Sequence, residues 1–548
     1  MRTQSLLYAA VLLSCSVSAS AQESPTAPVA PSATIERAID HYISAGFKAA
    51  SVNPAAQLDD SMFARRLWLD LVGRIPTSSE LQAYLDAKAP DKRAATIAGL
   101  QASLGYVRHQ VAQFDVMMMP SNGGRREASI QNYLTQAVTE NRGWDRIFRE
   151  LMQPDQSEAA RKGNTGPGEF LRSRLADADK LANEVSVLFF GVNVSCAQCH
   201  DHPLVEDWKQ DHFFGMKTFL IRTYDAGGFV GEKEFGLVKF KPTKGPERKA
   251  AMMFLNGKPI EDPNVREATP DEAKAEREKD KSRGDKKATV APAAPKSSAR
   301  GKLVEIALNQ PPESDYFSRN IVNRIWERML GRGLVNPLDQ MHSENKASHP
   351  ELLDWLARDF RNHNYDIKRL IRGIALSQTY SRSSKWESES LPNPALFAVA
   401  RLKPLTPMQY ATSLKIAATD PESFARLKPE EFDKRMEGIE GSARGLAPMF
   451  AQPGEDFQVG VNEALLFSNS DRITREVIAD NGLLSRLKEL KDPAKQIPVL
   501  VRTIHNREAT AAETEAIANY LARRNDRPVE ALRQVIWALL AGAEFRFN

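Results

Sequence analysis

The chain has 548 residues, 42% hydrophobic and 26% charged, with a formal net charge of +4. Such a length exceeds what one hydrophobic core can organise, so two or three domains of ordinary soluble composition are expected. With so small a charge, and no basic stripe interleaved with aromatics, nothing suggests nucleic-acid binding.

The first 21 residues read as an export signal. Arg2 supplies the positive end, the run from Leu6 to Leu13 is apolar, and Ala19-Ser20-Ala21 offers a small-residue cleavage site. A second reading places a lipid on Cys15, as in bacterial lipoproteins. The apolar run is too short to span a bilayer and no later segment reaches spanning length. The expectation is an exported protein of the periplasm or cell surface, soluble or at most lipid-tethered.

Residues 22–33 form a Pro/Ala/Ser tether. A first helical domain is expected over 34–265. It contains a helix around "FARRLWLDLVG", with Phe63, Leu67, Leu69 and Leu71, and another opening at "PTSSELQAYL", where Thr77 and Glu80 make a capping box. Arg65 and Arg66 read as surface ion-pair partners or as an anion site such as one for a haem propionate. Further helices are expected over 91–118, 126–152 and 175–190. The last carries Leu181, Val185 and Leu188 on one face and stops at Gly191. Residues 217–263 are Gly-punctuated and alternating, which predicts short strands or an irregular excursion.

Residues 266–300 are charged, then Ala/Pro/Ser-rich, and predict a disordered linker. A second helical domain follows over 301–548. Ser348 and Glu351 predict a capping box ahead of Leu352, Leu353, Leu356 and Phe360. Arg-x-x-Thr-x-x-Glu occurs at Arg74, Thr77, Glu80 and again at Arg507, Thr510, Glu513. It reads as a repeated capping device. The fold class is mainly α.

Chemistry concentrates in "NVSCAQCHDHPLVEDWKQDHFFGM", residues 193–216. Of three cysteines Cys15 sits in the signal, which leaves Cys196 and Cys199 and excludes a disulfide-rich scaffold or a four-cysteine zinc site. Three readings fit. Covalent haem c needs two thiols for the two vinyl groups and a histidine directly after them, and Cys196, Cys199 and His200 supply these. Met216 or His212 would approach the other face of the iron, although core packing is the plainer role for Met216 and a solvated surface position the alternative for His212. A zinc site could draw on Cys196, Cys199, His200 and His202, but four ligands within seven residues are tight. The third reading is a disulfide staple. Trp208 suits packing on a haem ring or in the core. His342 and His349 are conceivable distant ligands, with a solvated helix-entry position the plainer role for His349. No Gly-x-Ser-x-Gly elbow, Walker loop or dinucleotide fingerprint is present.

The stretches "RRLWLDLVGRIPTSSELQAYL", "FFGVNVSCAQCHDHPLVEDWKQDHFFGMKTF", "FSRNIVNRIWERMLGRGLVNPLDQM", "SHPELLDWLARDFRNHNYDIKRLIRGIALSQTYSRSS" and "ALLAGAEFRFN" resemble the secreted proteins that pair two domains of unknown function, numbered 1549 and 1553. The resemblance implies a cytochrome-like first domain. Its Cys-x-x-Cys-His-x-His-Pro…Trp pattern is matched by Cys196, Cys199, His200, His202, Pro203 and Trp208. Larger relatives carry a separate cytochrome c domain in front, which this chain lacks. The family's association with polysaccharide use names no reaction. The leading expectation is an electron carrier or redox partner rather than a stand-alone enzyme, with an unknown redox partner or secreted enzyme as its counterpart. The rival is a non-redox scaffold or binding protein with a zinc or disulfide staple. A hydrolase using a metal-bound water, with Asp201 or Glu206 as base, ranks last.

Overall fold

Capping chemistry explains where most helices begin and end in the computed structural model, which describes residues 28–119, 128–283, 291–453 and 477–548. The expected signal with Cys15, and residues 22–27 of the tether, lie outside these. Helix Asp60–Val72 opens with the Asp59 carboxylate accepting from the Met62 N–H and closes on Gly73 at φ 72°. Helix Ser78–Asp86 carries the Thr77/Glu80 box, and Arg74 adds two bonds of 2.7 Å to the same Glu80. The same triad recurs at Arg507, Thr510 and Glu513, where Arg507 meets Glu513 at 2.8 and 2.7 Å.

A third copy of this device lies in the segment expected to be unstructured. Arg266 grips Glu272 at 2.7 and 2.8 Å, Glu272 accepts from the Thr269 N–H at 2.8 Å, and helix Pro270–Arg283 follows. That helix has no apolar face, so the local cap and ion pairs such as Lys233–Glu276 (2.6 Å) hold it rather than burial. A box expected at Ser348 and Glu351 does not form. Pro350 takes the first helical position of Pro350–Asn362, which moves the cap to His349, and no side chain caps it.

The architecture is mainly α, and among the described residues strand is confined to three two-stranded antiparallel hairpins between Thr223 and Ile260. No helix among the described residues is long and apolar enough to cross a membrane. Buried apolar side chains gather into two main cores. The first draws on residues from Ile35 to Ala398, so it joins helices on both sides of the 266–300 segment. The second combines Leu405 to Phe545 with Leu69 and Ile75.

Helix Asp60–Val72 serves both cores. Arg65 and Arg66 are buried rather than surface ion-pair partners. Arg65 donates to the Asn506 side chain at 2.9 Å and to the Phe545 carbonyl at 3.2 Å, and Arg66 donates to the carbonyls of Tyr380 and Arg382, both at 2.7 Å. Arg65→Met should lower stability by about 2 kcal/mol, because buried acceptors lose their donor. An unchanged urea midpoint would mean that water replaces the guanidinium without cost.

Candidate functional site

Helix Ala178–Phe190 delivers the chain to the motif. Its Asp177 cap accepts from two backbone N–H groups, and Gly191 ends it at φ 68°. Any side chain at Gly191 would also press to 2.8 Å from the Asn320 amide oxygen and 3.1 Å from the Met341 sulfur. A 3₁₀ turn, Ser195–Gln198, then carries Cys196 and leads to Cys199 and His200. Only its Ala197 is buried, which leaves both thiols exposed, and they are not bonded to each other.

Polar side chains of the loop and of its flanking helices pin it. Asn183 accepts from the Val194 N–H at 3.0 Å, and Asn193 accepts from the Ser195 N–H at 3.1 Å. The Asp201 carboxylate accepts from the Gln210 N–H at 2.9 Å, at the start of helix Gln210–Leu220. Gln210 in turn donates to the Gln198 carbonyl at 3.3 Å and accepts from the Thr243 N–H at 3.0 Å.

A second clamp comes from beyond the 266–300 segment. Asn193 donates its N–H to the Asp339 carbonyl at 2.9 Å, and Met341 donates to the Gly191 carbonyl at 3.0 Å. Asp207 accepts from both the N–H and the hydroxyl of Ser343, at 2.7 and 2.9 Å. The motif is therefore held in place by both halves of the first core.

The two motif histidines are held differently. His200 is exposed, and its Nδ1 lies 2.7 Å from the Asp201 carbonyl. A carbonyl only accepts, so Nδ1 carries the proton and Nε2 keeps a free lone pair. His202 is the reverse. Its Nδ1 accepts from the N–H groups of Leu204 and Val205, at 3.2 and 3.1 Å. The neutral ring then protonates Nε2, and no lone pair is left for a metal. His202 closes the turn that Pro203 begins, and its own N–H donates to the Trp208 carbonyl at 2.8 Å.

The remaining candidates point inward. Met216 is fully buried in the first core, and Trp208 is buried with its ring 6.1 Å from that of Tyr316. His212 is buried rather than solvated, accepts from the Lys209 N–H at 3.1 Å, and is pushed below its usual pKa by burial. His349 is also buried. Its ring sits against Gly46 and Phe397, with Nδ1 3.2 Å from the Ser348 hydroxyl. Burial pushes the His342 pKa down, with Asp207 nearby opposing, and its Nδ1 has no hydrogen-bond partner among the described residues.

Among the described residues, Cys196, Cys199, His200 and His202 do not bring ligand atoms together as a tetrahedral ion requires. Among the described residues the His/carboxylate group that does is His505, Glu513 and Glu544. There Arg507 already stands as the cation, 2.7 Å from Glu513 and 2.6 Å from Glu544, so that group is an ion-pair node. For covalent haem the donor set fits: two free exposed thiols and an imidazole with its outer nitrogen open. Only the Cys-x-x-Cys-His spacing was legible beforehand. Gln210, Thr243, Asp207 and Ser343 carry no local signal.

Residues 38–225 match the family model PSCyt2, described as a protein of unknown function (DUF1549). Residues 300–428 match PSD1, likewise of unknown function (DUF1553). No curated protein and no solved structure matches.

Proposed function

For a chain that belongs to the proteins pairing a PSCyt2 with a PSD1 domain, we propose an exported, c-type cytochrome-like electron carrier or redox partner with haem c at Cys196, Cys199 and His200. The observation that carries the reading is the state of His200. Its Nδ1 proton is committed to the Asp201 carbonyl and its Nε2 is open beside two free thiols. Such an outer hydrogen bond fixes the tautomer and orientation of a ligating imidazole and raises its basicity. Cys196 and Cys199 would hold the group through thioethers and His200 would be the proximal ligand. Bound there, the haem would supply reversible one-electron chemistry.

The chain's own residues set the frame for it. Asp201 has two tasks: its carbonyl orients His200 and its carboxylate anchors the loop to Gln210. His202 and Asp207 hold the following turn. Exposure of the motif suits exchange with a separate protein. Since Met216, His202 and His212 are all engaged elsewhere, the reading assigns no sixth ligand from this loop.

Export from a host that carries haem-attachment machinery tests this. The protein should be coloured, show haem stain on a denaturing gel, and lose the covalent stain in Cys196→Ala. His200→Ala should keep the thioethers and shift the absorption bands. A colourless product with stoichiometric zinc, or one free of metal, would replace this reading with a stapled scaffold.

A further inference from the structure

Where the two cores meet, a cavity of about 810 Å³ opens between helices Asp60–Val72, Leu104–Met118 and Tyr316–Leu330, the 401–406 segment and the last residues of the chain. We propose that this cavity binds a small oxyanion-bearing molecule, with carboxylate or phosphate as the recognised group, through Arg328, Arg332 and Arg401. The proposal stands on observations apart from the cysteine motif.

Charge balance is the first of these. Four cationic side chains line the cavity, Arg328, Arg332, Arg401 and Lys403, against two carboxylates, Asp70 and Glu327. Lys403 and Asp70 satisfy each other at 2.7 Å. Lys403 also donates to the Arg328 and Met329 carbonyls, and Asp70 accepts from the Tyr380 hydroxyl and the Asn548 amide, both at 2.8 Å. That pair is closed. Three guanidiniums then face one side-chain carboxylate, that of Glu327, whose pKa burial pushes up, with Asn548 and its own carboxyl group also at the wall.

Unmet hydrogen-bonding capacity is the second. The Nε and Nη2 of Arg328 and the Nε of Arg332 have no partner among the described residues and no contact with solvent, so they lie in the cavity wall and a turn of the side chain is needed to bring them to a ligand. A buried N–H without an acceptor costs about 1–3 kcal/mol, more when charged, so such donors are rare unless something else meets them. A guanidinium fork matches the geometry of a carboxylate or phosphate through two parallel bonds. The cavity has the size of small-molecule sites. Arg401 is exposed at its rim and suits a role in capture. His109 also lines the cavity, and burial with the nearby Arg328 and Lys403 pushes its pKa down to about 3, so at neutral pH it adds no positive charge.

Titration calorimetry on the full chain tests the idea, with inorganic phosphate and succinate as separate probes and sodium chloride matched for ionic strength. At least one probe should bind saturably with one site per chain, which also tells a phosphate ligand from a carboxylate one. Arg328→Gln and Arg401→Gln should each weaken binding about tenfold or more, equivalent to one lost charge-assisted contact. If Arg328→Gln does not fold, the exposed Arg401 decides. Heats indistinguishable from chloride for both probes, or affinities unmoved in Arg401→Gln, would overturn it.

Discussion

Glu232→Ala is expected to destabilise the first core by about 3–5 kcal/mol, the range for leaving one member of a buried ion network without its partner. Glu232 ends strand Val230–Glu232 and its side chain has no solvent exposure. It accepts from the Ser298 hydroxyl at 2.6 Å, from the N–H groups of Ala299 and Arg300, and from the Arg300 Nε at 3.3 Å. Arg300, equally buried, reaches Asp155 at 3.0 Å on its other side. The carboxylate therefore balances a buried guanidinium and also occupies the N-terminus of helix Ala299–Leu308, where free N–H groups favour an anion. Its loss should appear as faster hydrogen exchange across that helix and an earlier urea transition. Removing both charges, as Glu232→Met with Arg300→Met, should cost less than Glu232→Ala alone. Asp155 can then take up a proton, since burial already pushes its pKa up. A Glu232→Ala protein within about 1 kcal/mol of the parent would show that water enters and solvates Arg300.

How much of this was legible depended on the distance over which the causes act. Thr77 with Glu80, and Gly191 after an amphipathic run, are local signals, and both form as their spacing predicts. The third Arg-x-x-Thr-x-x-Glu at Arg266, Thr269 and Glu272 is as local as the other two and could have announced helix Pro270–Arg283. The polar, Pro-rich composition around it masked a cap that works without a core. Ser348 failed for a local reason as well, because Pro350 fixed the helix start one residue later. Arg65, Arg300 and the clamp of Asp339 and Ser343 on the motif belong to another class. Their partners lie tens to hundreds of residues away, and no window of sequence holds both ends. The same is true of the cationic cavity, whose lining residues come from separate segments of the chain.

Between pH 7 and pH 5 the protein should lose stability as the pH falls, and His109 and His349 should account for much of the slope. Both are neutral in the folded chain: burial and the nearby Arg328 push His109 down to about 3, and burial against Gly46 and Phe397 pushes His349 down to about 4, with Glu351 opposing weakly. An unfolded histidine takes up a proton near 6.5. Below that pH the unfolded state binds more protons than the folded one, so stability falls with pH until the folded pKa is reached. Each group then costs about 1.4 kcal/mol per pH unit once well below 6.5. For the pair this approaches about 4 kcal/mol at pH 5. The buried carboxylates Asp40, Asp315 and Glu327, whose pKa values are raised, act in the opposite direction. Glu513 and Glu544 are held low by Arg507 and contribute loss only below about pH 4.5, where their unfolded forms protonate. Subtraction separates these contributions. His109→Asn and His349→Gln should each start less stable at pH 7 and show a shallower decline to pH 5, and the two differences from the parent should add, since the histidines share no neighbour: His109 sits against Gly73 and His349 against Gly46 and Phe397. A parent Tm that is flat over this range, or variants that run parallel to it, would mean that these imidazoles are solvated enough to protonate in place.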